Sequence, residues 1–175
     1  WPRPLLQLWY KPDNVFQMPK VNLLFCFPSR IANVTPQAVV ATQLFVEWIQ
    51  EQVNEFTYLA SMAGLQCEIG TAQGTSGIDL QVSGYHHKAN VLVEKLMGVM
   101  IESLQRPATD KNEDDDTELF GRIIYKLEQQ FQSFIVAQPY SHAIYGADQV
   151  LEDGSFSIPQ KMAALKQLAN LRIAP

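Results

Sequence analysis

Cysteine is scarce in this chain. Cys26 and Cys67 are the only two among 175 residues, too few for a disulfide framework. Both fall in predicted strands, so a bridge is geometrically conceivable, but two free buried thiols are the expectation, because unbridged cysteine behaves as a small core hydrophobe. Long apolar runs are missing too: none approaches the ~18–20 residues of a membrane span. Basic charge is in deficit, with 13 Lys and Arg against 18 Asp and Glu and a formal charge of −5. The cations are scattered rather than gathered along a stripe that tracks a phosphate backbone, which argues against a nucleic-acid partner. The opening WPRPLLQLWYKPD lacks the basic-then-apolar order of a secretory signal. The expected setting is the cytoplasm, away from membranes, where the glycosylation sequon Asn33-Val34-Thr35 has no consequence.

Catalytic arrays are equally absent. A hydrolytic zinc site needs three nitrogen or oxygen ligands converging from ordered elements, with a position left open for water. One helix supplies two of them when histidines stand four residues apart with a glutamate between them as general base. The chain has three histidines. His86 and His87 are adjacent at a strand-to-helix junction and cannot share a face, and Glu94 is too remote to complete a motif with them. His142, in QPYSHA, is expected to pack or hydrogen-bond at a helix start. The acidic stretch TDKNEDDDTE puts Asp110, Asn112 and Asp114 at the first alternating positions of a calcium loop. The obligatory sixth-position glycine is Asp115, however, and the twelfth position is Gly121 rather than glutamate. A solvated loop is expected there. Neither cysteine has a helix N-terminus or a cationic neighbour to lower its pKa. No G-x-S-x-G elbow occurs, and Gly74-Thr75-Ser76-Gly77 lacks the lysine and helix of a phosphate loop. No catalytic residue and no metal ligand is therefore assigned, no cofactor is expected on this chain, and the substrate-binding residues are left open.

What is present is the pattern of an ordinary globular domain, 47% hydrophobic and 18% charged, with a length that suits one domain. Residues 5–10 (LLQLWY) and 21–27 (VNLLFCF) read as a strand hairpin over 5–28, joined by the turn residues Lys11-Pro12-Asp13-Asn14. The second run is nearly unbroken, which suits a strand covered on both faces. Thr35 and Pro36 form an N-cap and first helical position. A helix is predicted over 36–63, bent or continuous, with Ala41, Phe45, Trp48, Ile49, Val53, Phe56, Leu59, Ala60 and Ala63 on one stripe and Gly64 as its stop. The aromatics among Phe25, Phe27, Phe45, Trp48 and Phe56 are either core or the lining of a peptide-binding surface. A second hairpin follows over 65–85, in which Ile78, Leu80 and Val82 alternate with Asp79, Gln81 and Ser83. Helices are predicted over 88–103, 118–136, capped by Asp116 or Thr117, 139–151 and 158–170. The fold class is α+β: a mixed or antiparallel sheet of at least four strands packed on long amphipathic helices.

The order hairpin, long helix, hairpin, helices carries a resemblance. LWYKPDNVFQMPKVNLLFCF, NEFTYLASMAGL, LQVSGYHHK and AQPYSHAIY, in register over nearly the whole chain, resemble the third domain of the insulysin/pitrilysin (insulinase-like) zinc metalloendopeptidases, a family that includes the mitochondrial processing peptidases. The resemblance implies a protease of four related α+β domains enclosing a chamber, with zinc on an inverted His-x-x-Glu-His motif in the first domain only. This chain then corresponds to a non-catalytic part of the chamber wall. Its partners are expected to be enclosed peptide substrates, the other domains of the same polypeptide and, possible too, further copies of itself. A second reading is an assembly domain like the inactive partner subunit of a processing peptidase. The chain departs from the family pattern by stopping before the last strand or strands, so it reads as a fragment of a larger multi-domain chain. The TDKNEDDD loop is also longer than the family's usual connection.

Overall fold

A computed structural model describes residues 6–72, 77–105, 113–151 and 155–173. In chain order these form β1 (Lys20–Pro28), α1 (Pro36–Met62), β2 (Leu65–Thr71), β3 (Gly77–Tyr85), α2 (His86–Gln105), α3 (Glu113–Ser133), a 3-10 turn (Phe134–Val136), α4 (Pro139–Leu151) and α5 (Ile158–Ile173). No helix among the described residues is long and apolar enough to cross a membrane.

Local chemistry sets the ends of α1. Thr35 stays extended and its Oγ1 accepts from the Ala38 N–H at 3.1 Å, while Pro36 occupies the first helical position. Past the C-cap Ala63, Gly64 turns left-handed at φ 78°. The helix α3 begins earlier than the caps Asp116 or Thr117 imply, at Glu113.

The sheet has three strands among the described residues, all antiparallel, in the order β1-β3-β2. This corrects the expected minimum of four. Of the apolar run 5–10, residues 6–10 are described; they form no strand and lie exposed. Apolar composition makes a strand only where a ladder is formed, and β1 pairs with β3, from Lys20↔Tyr85 to Pro28↔Gly77, rather than with residues 6–10. The turn residues nevertheless act as their chemistry dictates: Asp13 Oδ1 accepts from the Val15 and Phe16 N–H groups at 3.0 Å each.

Directly paired residues share a face. Leu23, Phe25, Leu80, Val82 and Ile69 therefore point one way, onto the helices, with Leu80 and Val82 fully buried. Asn22, Leu24, Cys26, Asp79, Gln81, Gln66 and Glu68 point the other way. That second face is open, with Leu24 63% exposed, so β1 is covered on one face only and not on both.

Two hydrophobic clusters meet at α1. Val46, Ile49 and Val53 join the inner sheet face and Leu92, Leu96 and Met100 of α2. Val40 and Leu44 join Ile123, Leu127 and Phe131 of α3 and Ala164 and Leu165 of α5. Trp48 packs against both. The apolar surface of α1 is thus two faces rather than one stripe. Ala41, Leu59 and Ala63 are exposed, Phe45, Trp48 and Phe56 half-buried, and Val40, Leu44 and Val46 buried instead. Polar contacts trim the same junctions: Lys126 Nζ meets Glu47 Oε2 at 2.7 Å, and Gln37 Nε2 donates to Gln167 Oε1 at 2.9 Å.

At the start of β2 the chain closes on itself. Gly84 has φ 133°, and a Cβ there would lie 2.2 Å from the Gly64 carbonyl oxygen. Gly84→Ala is expected to cost at least about 2 kcal/mol of stability, and Ile49→Ala about 2–5 kcal/mol. Ala41→Glu should stay within about 0.5 kcal/mol, as exposed sites do. Denaturant midpoints of the three variants check the two-faced assignment of α1, which a costly Ala41→Glu or a neutral Ile49→Ala would reverse.

Candidate functional site

The chemistry-bearing side chains are dispersed. His86, at the first position of α2, sets its Nδ1 3.0 Å from the Pro19 carbonyl oxygen, which also accepts the His86 backbone N–H at 3.1 Å. That fastens the start of β1 to the end of β3. His87 is exposed beside it. His142, on α4, stands edge-on to Phe134 at 4.7 Å between ring centroids. Among the described residues no three His, Cys, Asp or Glu side chains gather in a group that holds a metal ion, and α1 contains no histidine. These residues do not fit a zinc centre. The calcium-loop candidates Asp110 and Asn112, and Gly74, Thr75 and Ser76 of the glycine-rich turn, lie outside the described residues.

Both cysteines are free, but they differ in setting. Cys26 is exposed on the open sheet face, which corrects the expectation of burial: one face of β1 has no cover. Its partner across the ladder is Asp79, and the hydrogen bond to that carboxylate, with lesser burial and charge effects, holds the thiol above its ordinary pKa. Cys67 is half-buried on the inner face. Burial first, then the charge of Glu68, push its pKa up to about 11.

The concavity that sequence reasoning missed lies along β2. An open groove of about 510 Å³ runs between the last turns of α1, which contribute Asn54, Thr57, Tyr58 and Ser61, and strands β2 and β3, which contribute Glu68 and Gln81 among others. Amides and hydroxyls recur among its lining residues. Glu68 is the one formal charge among its lining residues. No sequence motif marks the groove, because it arises from the angle between α1 and the sheet edge. Its volume is that of a small-ligand or short-peptide site. A smaller apolar recess, near 70 Å³, lies between α3 and α5 around Ile124, Met162 and Leu165.

Residues 2–164 match the family model described as the middle or third domain of peptidase M16. The chain belongs to the peptidase M16 family. The middle-domain match extends to curated relatives: insulin-degrading enzyme-like 1, peroxisomal, of Arabidopsis thaliana is 28% identical over 165 residues, covering 94% of this chain and 16% of the relative. The putative zinc protease mug138 of Schizosaccharomyces pombe is 29% identical over 163 residues, covering 93% and 16%. The chain therefore spans about a sixth of the length of these M16 relatives. In fold it resembles the crystal structure of pitrilysin, with a TM-score of 0.74 and 18% identity over 94% of this chain and 17% of that one.

The two thiols should label at different rates. Cys26 is expected to react first, limited by its hydrogen bond to the Asp79 carboxylate, and Asp79→Asn should speed it by weakening that bond. Cys67 should stay slow below pH 9. Its folded pKa lies above the unfolded value, so stability from the protonated thiol holds below about pH 9 and falls as pH rises towards 11. Timed alkylation with mass readout across pH 7–10 checks both; faster labelling of Cys67 than Cys26 contradicts the assignment.

Proposed function

We propose that this chain is a non-catalytic domain of an insulysin-like zinc metalloendopeptidase and forms part of the wall of its peptide-degrading chamber. The observation that carries the reading is the middle-domain match over residues 2–164 on a chain whose longest helix, α1, has no histidine. Zinc and its general base then belong to another domain of the polypeptide. This domain supplies enclosure, so that size, rather than a sequence-reading pocket, selects substrates. A cytoplasmic location stays part of the proposal.

Two apolar surfaces support a place inside a larger polypeptide. Residues 6–18 expose Leu6, Leu8, Trp9, Tyr10, Val15 and Phe16, with Trp9 at 89% and Phe16 at 79%. No residue of α4 is buried. That helix is latched to the start of α5 by Tyr145 Oη, which accepts from the Ile158 N–H at 2.8 Å, and by Gln149. It presents Tyr140, Ile144, Val150 and Leu151 outward. Surfaces of this kind mark contacts with other protein, and the M16 relatives are about six times as long as this chain. The same surfaces favour an assembly domain, like the inactive partner subunit of a processing peptidase, as the second reading.

The coding sequence on either side separates the two: an upstream His-x-x-Glu-His in the same polypeptide supports the protease. The isolated chain is expected to hydrolyse no fluorogenic peptide and to retain no stoichiometric zinc after dialysis, whereas the whole polypeptide does both. One tightly held zinc per isolated chain, with chelator-sensitive turnover, overturns the reading. Sedimentation across a concentration range should show the isolated chain self-associating, and addition of the remaining domains should suppress it.

A further inference from the structure

We propose that the free edge of β1 is where another segment of the same polypeptide joins this sheet as an added strand, with apolar side chains at alternate positions turned toward α2. Backbone phase shows which groups are free. The Pro19 carbonyl accepts from the His86 N–H at 3.1 Å, and the β1–β3 pairing, continued by one residue, sets these two opposite each other. Bonded and non-bonded pairs alternate along an antiparallel ladder. Val21, Leu23, Phe25 and Phe27 therefore direct their backbone groups to β3, and Lys20, Asn22, Leu24 and Cys26 direct theirs away from the sheet. The second ladder agrees in phase. The Ala72 N–H donates to the Gly77 carbonyl at 3.0 Å, which commits Gly77, Asp79, Gln81 and Ser83 to β2 and leaves the alternate residues of β3 for β1.

This edge is open along its length. Lys20, Asn22, Leu24, Cys26 and Pro28 are all exposed. Among the described residues no hydrogen bond occupies the outward backbone groups of Asn22, Leu24 or Cys26; the one contact of Asn22 outside the ladder is through its side chain, to Gln81. The opposite edge differs: Leu65 and Ile69 of β2 are buried, and the Ile69 carbonyl accepts from Gln50 Nε2 of α1 at 2.6 Å.

The composition of β1 sets the chemistry of what covers it. Between Lys20 and Pro28 the strand reads VNLLFCF, with none of the charges or prolines that keep an edge from pairing. The inner core also runs out at this margin, where α2 packs over β3 and β1. Val21, Leu23 and Phe25 are half-buried, as are Val93 and Met97 of α2, and Phe27 is 38% exposed. A strand beyond β1 sets its inward side chains opposite these four residues of β1, where β-branched residues beside Phe25 and Phe27 stabilise the pairing. Its outward side chains lie beside Asn22, Leu24 and Cys26, which carry no charge.

The length of chain outside these residues selects the occupant. The M16 relatives are about six times as long as this chain, and a tethered strand meets the edge at an effective concentration of about millimolar order, well above that of a second copy in dilute solution. Apolar cover also suits a permanent neighbour better than a substrate that must leave. Residues 6–10, the nearest apolar segment, are exposed and form no strand. The choice of occupant rests on the reading above that this chain is one domain of a longer protease.

The test reads amide hydrogen exchange in the full polypeptide, residue by residue, by mass spectrometry. The Asn22, Leu24 and Cys26 amides are expected to exchange at least about a hundredfold more slowly than free amides, in step with Val21, Leu23 and Phe25. A benzophenone attached to Cys26, with other exposed cysteines replaced, then marks the neighbour. In an equal mixture of isotope-labelled and unlabelled copies, the cross-link is expected within one copy, to an alternating apolar segment outside residues 1–175. Fast exchange at Asn22, Leu24 and Cys26 beside slow Val21, Leu23 and Phe25 overturns the proposal. So does protection that disappears on dilution, or a cross-link to residues 6–10, to a second copy or to any other kind of segment. A polypeptide with this protection and cross-link that holds no zinc and cleaves no peptide sinks the protease reading alone. One that cleaves peptides but exchanges freely along β1 sinks the strand addition alone.

Discussion

The double burial of α1 is the constraint on which the remaining structure depends. A three-stranded sheet with one covered face does not hold together without a long apolar partner, and Val46, Ile49 and Val53 supply that partner together with α2. The same helix uses Val40 and Leu44, nearer its N-terminus, to gather α3 and α5. Trp48 belongs to both clusters, so motion at one is felt at the other through a single side chain. The geometry follows from this arrangement. With its inner face and one flank committed to α1 and α2, the sheet keeps an open polar face, and the last turns of α1 run alongside β2 to form the groove wall.

The parts legible in the sequence are those decided by neighbours along the chain. Thr35-Pro36 opens α1, Gly64 closes it, and the alternation of Ile78, Leu80 and Val82 with Asp79, Gln81 and Ser83 sets the two faces of β3, all by local chemistry. The parts that escaped depend on contacts between distant segments. Residues 6–10 have the composition of a strand, but pairing is a property of two segments, and β1 meets β3 across the whole of α1. The face of α1 was misplaced because two apolar stripes on adjacent sides of one helix satisfy the same three- and four-residue steps. Which stripe meets the sheet is set by tertiary packing. Cys26 was expected inside because VNLLFCF is almost wholly apolar; Asn22 was its one sign of a wet face.

For the functional site the asymmetry runs the other way. The absence of a zinc motif is a statement about residue identity, and it needed only the sequence: a helix without histidine carries no inverted motif in any fold. The groove along β2 was invisible, because no residue in it belongs to a chemical signature. It exists through relative placement. Asn54 and Ser61 are ordinary surface residues of a helix until β2 is set beside them. Family membership narrows what such a groove meets, but a shared fold hosts sites that differ from member to member.

The surfaces of the domain divide by chemistry, and the division accords with a wall between neighbours and a substrate. Trp9, Phe16 and the outer face of α4 expose large apolar side chains whose removal from water is worth about 25 cal/mol per Å²; such surfaces favour permanent cover. The β2 groove offers backbone groups, amides, hydroxyls and one carboxylate, each already satisfied by water when empty, so that an occupant gains little net energy per contact and leaves readily. A protein that must hold a peptide briefly and then release its pieces needs the second kind of surface inside and the first kind at its joints. The chamber-wall proposal asks for both kinds of surface, on separate elements of one domain.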